Sequence, residues 1–194
     1  MKQVPTPSQT VGPFFRIGLD ARCEAPFAGP QVMGERVQIA GSVLDGDRKP
    51  VPDAMLEVWQ ADASGNYASA ETSLRQGQAP RFRGWGRILT NDHGKFHFTT
   101  IRPGAVPGPD GTKQAPHLQA PHLVVSIFMR GLLKHLVSRI YFAGEPANQF
   151  DPILALVDPA RRHTLEARPD STVPGLLRWD IHLQGEQETV FFDC

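Results

Sequence analysis

The amino-acid sequence predicts an all-β fold, a mainly antiparallel sandwich with long loops and short helices, on three observations. Its 194 residues include 18 glycines and 18 prolines, which cut the chain into segments too short for long helices. Between these breakers apolar residues recur at every second position, the period of a strand with one buried face. Groups of Asp, Asn, Ser and Gly close the alternating runs at short intervals, as the turns of a sandwich or barrel do.

Each element can be justified in order. From Met1 to about Gly34 the chain is rich in Pro and Gly with little periodicity, which predicts an extended arm ahead of a single sandwich domain spanning the rest, residues 35–194. Arg36 to Leu44 alternates Val37, Ile39, Gly41 and Val43 with Gln38, Ala40 and Ser42, a strand that Asp45-Gly46 turns. Met55 to Gln60 is a second strand, closed by the loop Ala61 to Asn66 with Tyr67 directly after it. Trp85 to Thr90 and Lys95 to Ile101 are expected to form a hairpin across Asn91-Asp92-His93-Gly94, with Phe96 and Phe98 on one face. A Pro/Gly-rich loop, Pro103 to Pro116, precedes two apolar runs, Leu123 to Met129 and Leu136 to Phe142, that read as central strands. Short helical pieces are expected between Asp151 and Arg168, broken at Pro159. Leu176 to Leu183 alternates again, with Trp179, Ile181 and Leu183 on one face, and Thr189 to Phe192 would be the last strand.

Composition excludes several function classes. Twenty Lys and Arg balance twenty Asp and Glu, leaving no global field to gather a nucleic acid or an acidic membrane surface. No apolar run reaches the roughly 18 residues of a membrane span, and the opening MKQVPTPSQTVGPFF lacks the apolar stretch of a secretory signal, so the chain is expected to be cytoplasmic. Cys23 and Cys194 lie near opposite ends and form no close metal-binding pair.

Seven histidines and two tyrosines are the residues that could carry metal chemistry. His117 and His122, in the doubled phrase APHLQAPHL, would point to opposite faces of a continuous strand, so only a loop could bring them together. His93 and His97 sit beside the Asn91 to Gly94 turn, where no complete ligand set is evident. There is no Ser-His-Asp pattern, phosphate-binding glycine loop or HExxH helix. Residue types and spacing alone define no active site.

Five phrases carry more information: TPSQTVGPFF (Thr6 to Phe15), LEVWQADASGNY (Leu56 to Tyr67), GWGRILTNDHGKFHFTTIRPG (Gly84 to Gly104), APHLVVSIFMRGL (Ala120 to Leu132) and RIYFAGE (Arg139 to Glu145). Their order resembles that of the intradiol dioxygenases, and the closing QGEQETVFFD (Gln184 to Asp193) is similar to the α chain of the family's two-chain members. The resemblance implies an Fe(III) site built from two tyrosines and two histidines, since anionic phenolates suit a ferric ion and imidazoles complete its coordination. Tyr67 stands at the first tyrosine position, but Val106 stands at the second; His122 matches the first histidine and Val124 the second. Gln119 replaces an arginine expected before the histidine phrase, and Gly108 replaces an aromatic residue. By this resemblance Tyr67, Val106, His122 and Val124 are vestigial positions, no residue of this chain is catalytic, and the iron would sit on a partner β chain.

The same resemblance places Thr10, Gly12, Pro13 and Phe14 of the arm, and Arg130 of the FMRG phrase, against the substrate held by that β chain. Gly and Pro suit a close-approaching backbone, a ring packs on a catechol, and an arginine would recognise a carboxylated ring such as 3,4-dihydroxybenzoate, protocatechuate, with O2 as co-substrate. Two rivals remain at this stage: a catalytic chain using Tyr67 and His122 with His117, and a non-enzymatic β-sandwich binding protein.

Overall fold

The structure, a computed structural model, describes residues 5–19, 27–68, 82–108 and 118–193. Among these described residues there are eleven strands: β1 (Arg36–Leu44), β2 (Met55–Gln60), β3 (Trp85–Leu89), β4 (Lys95–Ile101), β5 (Val106–Pro107), β6 (Leu118–Gln119), β7 (His122–Phe128), β8 (Leu136–Phe142), β9 (Glu166–Pro169), β10 (Leu176–Arg178) and β11 (Ile181–His182). One layer runs β4-β1-β10-β9 and the other β3-β2-β7-β8; β9 joins them by pairing with both β10 and β8. Pairing is antiparallel except where β1 meets β10 and β11 and where β8 meets β9. Between the layers lies an apolar core to which both contribute: Val37, Ile39, Phe96 and Phe98 from one side, Leu56, Leu123, Val125 and Ile140 from the other. The all-β sandwich expectation holds.

Four elements differ from the sequence expectation. The turn after β3 forms as expected, with Asn91 Oδ1 accepting from the N–H groups of His93 and Lys95 at 2.9 and 3.0 Å. The flanking strands, however, do not pair with each other: β3 pairs with β2 and β4 with β1. The connection is an arch between layers, which lets Ile88 and the two phenylalanines pack into one core from opposite sides. In the arm, Pro13–Leu19 is a short helix, α1, rather than extended chain. Proline fits its first position because no N–H is needed there, and Phe15 anchors it against Phe128 with ring centroids 5.6 Å apart.

The short helical pieces expected between Asp151 and Arg168 do form, as the 3-10 turns Leu154–Leu156 and Arg162–Leu165 on either side of Pro159, with β9 after them and a further 3-10 turn, Pro146–Phe150, ahead. Finally, Thr189 to Phe192 makes a single bridge, Phe192 to Val137, instead of a strand. The alternating run 176–183 is likewise divided, into β10 and β11, where Trp179 crosses β1. A Cβ on Gly41 would lie 1.8 Å from the Trp179 carbonyl oxygen, so only glycine admits this crossing.

Candidate functional site

Two places on the molecule gather the residues singled out by sequence. The first is built on the outward face of the second layer. Gln60 ends β2 with its side chain buried, its amide donating to the carbonyls of Ala61 and Ile101 and accepting from the Thr100 hydroxyl at 2.6 Å. The loop that follows is closed by the Asp62 carboxylate, which accepts from the N–H groups of Ser64 and Asn66 at 2.8 and 2.9 Å. Gly65, at φ +78°, lies so close to Ala105 that a Cβ would be 1.9 Å from its carbonyl oxygen. This contact binds the loop to the segment carrying Val106 and fixes Tyr67, whose ring stacks on Trp59 at 4.4 Å.

Strand register supplies the rest. His122 and Val124 are two residues apart on β7 and so share a face. Across the ladders, His122 faces Tyr141 and Val124 faces Arg139 on β8, while Val124 faces Trp59 on β2. Val106 pairs with Gln119 in the small β5-β6 ribbon. Arg139 is the residue that sequence reasoning missed. Its guanidinium donates to Gln119 Oε1 at 2.7 Å and to the Tyr141 hydroxyl at 3.4 Å. An arginine in a strand gives no signal of its own; only the register reveals what it faces.

The charges that act on this face are the Arg139 guanidinium and the buried Asp151 carboxylate. His122 is buried, and its Nδ1–H donates to the Ala120 carbonyl at 2.7 Å, a partner that can only accept. Burial, reinforced by the Arg139 charge, pushes its pKa down to about 4. Burial also raises the pKa of the Tyr67 phenol, against the opposing pull of Arg139. Tyr141 is raised as well, first by burial and then by Asp151, so it stays a neutral donor to that carboxylate, 3.3 Å away. Asp151 is buried and well partnered: it accepts from the N–H groups of Ala120, Ile153 and Leu154 at 2.7, 2.8 and 2.7 Å.

These residues do not fit the iron that the intradiol family uses. Val106 and Val124 have no lone pair to offer, which leaves at most Tyr67 and His122 of the four positions. A resident guanidinium lies near both remaining candidates and opposes a trivalent cation. Among the described residues no group of three His, Cys, Asp or Glu side chains could hold a metal ion. The alternative set with His117 turns on a residue outside the described ones.

The second place lies at the arm. The Gly131 N–H donates to Thr10 Oγ1 at 2.8 Å, which seats the arm on the turn after β7. Next to this contact is a pocket of about 340 Å³ lined by Val11, Gly12, Phe15, Ile17, Asp53, Phe128 and Arg130. Arg130 forms an ion pair with Asp53 there. Thr10, Gly12 and Arg130 are therefore together. Pro13 opens α1, and its side chain is outside the described part; Phe14 stands beside them with its ring 81% exposed. Phe15 and Asp53, which the sequence gave no reason to select, line the pocket.

Comparison with known proteins decides the family. A family model described as Dioxygenase matches residues 18–185. The protocatechuate 3,4-dioxygenase alpha chain of Burkholderia cepacia is 38% identical over 97% of this chain and 96% of its own length. The chain belongs to the intradiol dioxygenase family. The protocatechuate 3,4-dioxygenase beta chain of the same organism is 36% identical, over 81% of this chain and 68% of that one. Among solved structures, the dioxygenase domain of a dioxygenase carbohydrate-binding protein fusion from Streptomyces sp. SirexAA-E superposes with a TM-score of 0.60 at 24% identity, covering 92% of this chain and 99% of that chain. That likeness speaks for the fold. Among the described residues no helix is long and apolar enough to cross a membrane.

Proposed function

We propose that this chain is the α subunit of a cytoplasmic protocatechuate 3,4-dioxygenase and acts with a β subunit. Together they cleave 3,4-dihydroxybenzoate with O2 between its two hydroxyl-bearing carbons, giving 3-carboxy-cis,cis-muconate. One observation carries the assignment. A chain 38% identical to an alpha chain of that enzyme over 97% of its length carries valines at two of the four positions where the family resemblance places iron ligands, with Arg139 across the ladder from one of them, Val124. In this reading the Fe(III) belongs to the β subunit, where it supplies the Lewis acidity and orientation that ring cleavage requires.

What this chain contributes is binding and shielding. Residues 1–34 form an arm and 35–194 one sandwich domain; the arm carries Thr10, Gly12, Pro13 and Phe14 to the partner's substrate pocket. The exposed Phe14 side chain offers apolar surface that would exclude solvent from the ring it covers. Arg130 supplies the cation for the substrate carboxylate. The test is reconstitution: this chain and a β chain are purified separately and mixed, and loss of protocatechuate is followed by its ultraviolet absorbance. Ring cleavage by the mixture at rates far above either chain alone is the expected result. Full activity of the β chain alone, with no gain on adding this one, would overturn the proposal.

A further inference from the structure

We infer that Asp53 is a positioning residue for Arg130 and thereby sets the preference for a carboxylated ring. The inference rests on reading Arg130 as the contact for the substrate carboxylate and adds to it a residue that neither the sequence motifs nor the arm points to.

The geometry is specific about which edge of the guanidinium is used. Asp53 Oδ2 takes the Nε–H of Arg130. Among the described residues neither terminal nitrogen meets an acceptor, so a pair of parallel donors able to take a carboxylate is left free. The walls of the pocket are apolar, from Val11, Phe15, Ile17 and Phe128. A carboxylated aromatic ring fits this division of labour, its ring against the apolar wall and its charge on the free edge.

Asp53 is also held firmly enough to orient a flexible partner. Its turn is gripped on both sides by the buried Thr90, whose hydroxyl accepts from the Ala54 N–H at 3.0 Å and donates to the Val51 carbonyl at 2.9 Å. The Arg130 side chain is 62% exposed, against 20% for Asp53. Without Asp53 the arginine would be a solvated side chain sampling many rotamers, and substrate binding would have to order it. With Asp53 the ordering is done beforehand. Gly131, next in sequence, is tied to Thr10, so arm and arginine are set in register by the same turn.

The experiment uses the assembled α/β enzyme, with iron content and assembly state checked for every variant. Asp53→Ala is expected to raise KM for protocatechuate about three- to tenfold, a loss of preorganisation, with a smaller effect on kcat. Asp53→Asn, which keeps an acceptor for Nε–H, should lie closer to the wild type. The inhibition constant of 4-methylcatechol, which has no carboxylate, should move in neither variant. Equal losses in Ala and Asn variants, or equal losses for carboxylated and uncharged catechols, would overturn the inference. Arg130→Ala separates it from the reading beneath it. If Arg130→Ala raises KM for protocatechuate and Asp53→Ala does not, the role of Asp53 falls alone; if Arg130→Ala changes nothing, the carboxylate contact itself falls.

Discussion

Replacing His122 by asparagine should remove a pH dependence of stability that the structure ties to one side chain. The imidazole is buried, with its Nδ1–H committed to the Ala120 carbonyl and the Arg139 charge nearby, and its pKa falls from 6.5 to about 4 on folding. The sign follows from proton counting. Above about pH 6.5 both folded and unfolded chains carry the neutral ring, and its contribution is fully present. As pH falls from 6.5 toward 4 the unfolded chain takes up the proton and the folded chain does not, so stability drops; below about 4 both are protonated and the loss levels off. At about 1.4 kcal/mol per pH unit the loss amounts to about 3 kcal/mol, a large part of the roughly 5–15 kcal/mol that holds a domain together. Asparagine can place an amide N–H near the position of Nδ1–H but cannot titrate. Urea denaturation at fixed protein concentration, followed by tryptophan fluorescence from pH 7.5 to 3.5, should show the wild-type curve steeper than the variant's between 6.5 and 4. Parallel curves across that window would refute the reasoning.

Two further perturbations probe the frame around the sites. Gly41→Ala should destabilise the chain by several kcal/mol or prevent folding, because its Cβ would lie 1.8 Å from the Trp179 carbonyl oxygen and 2.8 Å from the Phe96 ring; thermal unfolding and soluble yield report it. Thr90→Val keeps the shape but leaves the Ala54 N–H without its side-chain partner, at a cost of about 1–3 kcal/mol in chemical denaturation. The same variant loosens the turn that carries Asp53, so it should also raise KM for protocatechuate in the assembled enzyme.

Much of this molecule was legible because its physics is local. β1 follows from alternation, β2 and β4 from strand runs closed by turn residues, and β8 from an apolar run, and the observed bounds match those runs. The connection between β3 and β4 was not legible as an arch. Asn91 and Gly94 make the same tight turn whether the flanking strands pair or part, and the choice depends on β1 and β2, whose edges they join. Helix α1 was hidden by its own proline, which reads as a breaker unless it stands at the first helical position.

At the sites, the motif phrases located Tyr67, Val106, His122 and Val124, and strand period put His122 and Val124 on one face. Arg139 escaped notice because its partners, Gln119 and Tyr141, come from another strand and from two residues along its own. Asp53 escaped for a related reason: in the sequence Pro-Val-Pro-Asp it is an ordinary turn residue, and its ion pair spans 77 positions.

The most direct test of the account is the iron content of this chain, together with the visible absorption of phenolate-bound ferric ion, measured on the chain purified alone and again after co-expression with a β subunit. The account predicts a colourless chain without iron when alone, and a coloured, ring-cleaving complex when the two are together. Stoichiometric iron and protocatechuate cleavage by the lone chain would contradict it.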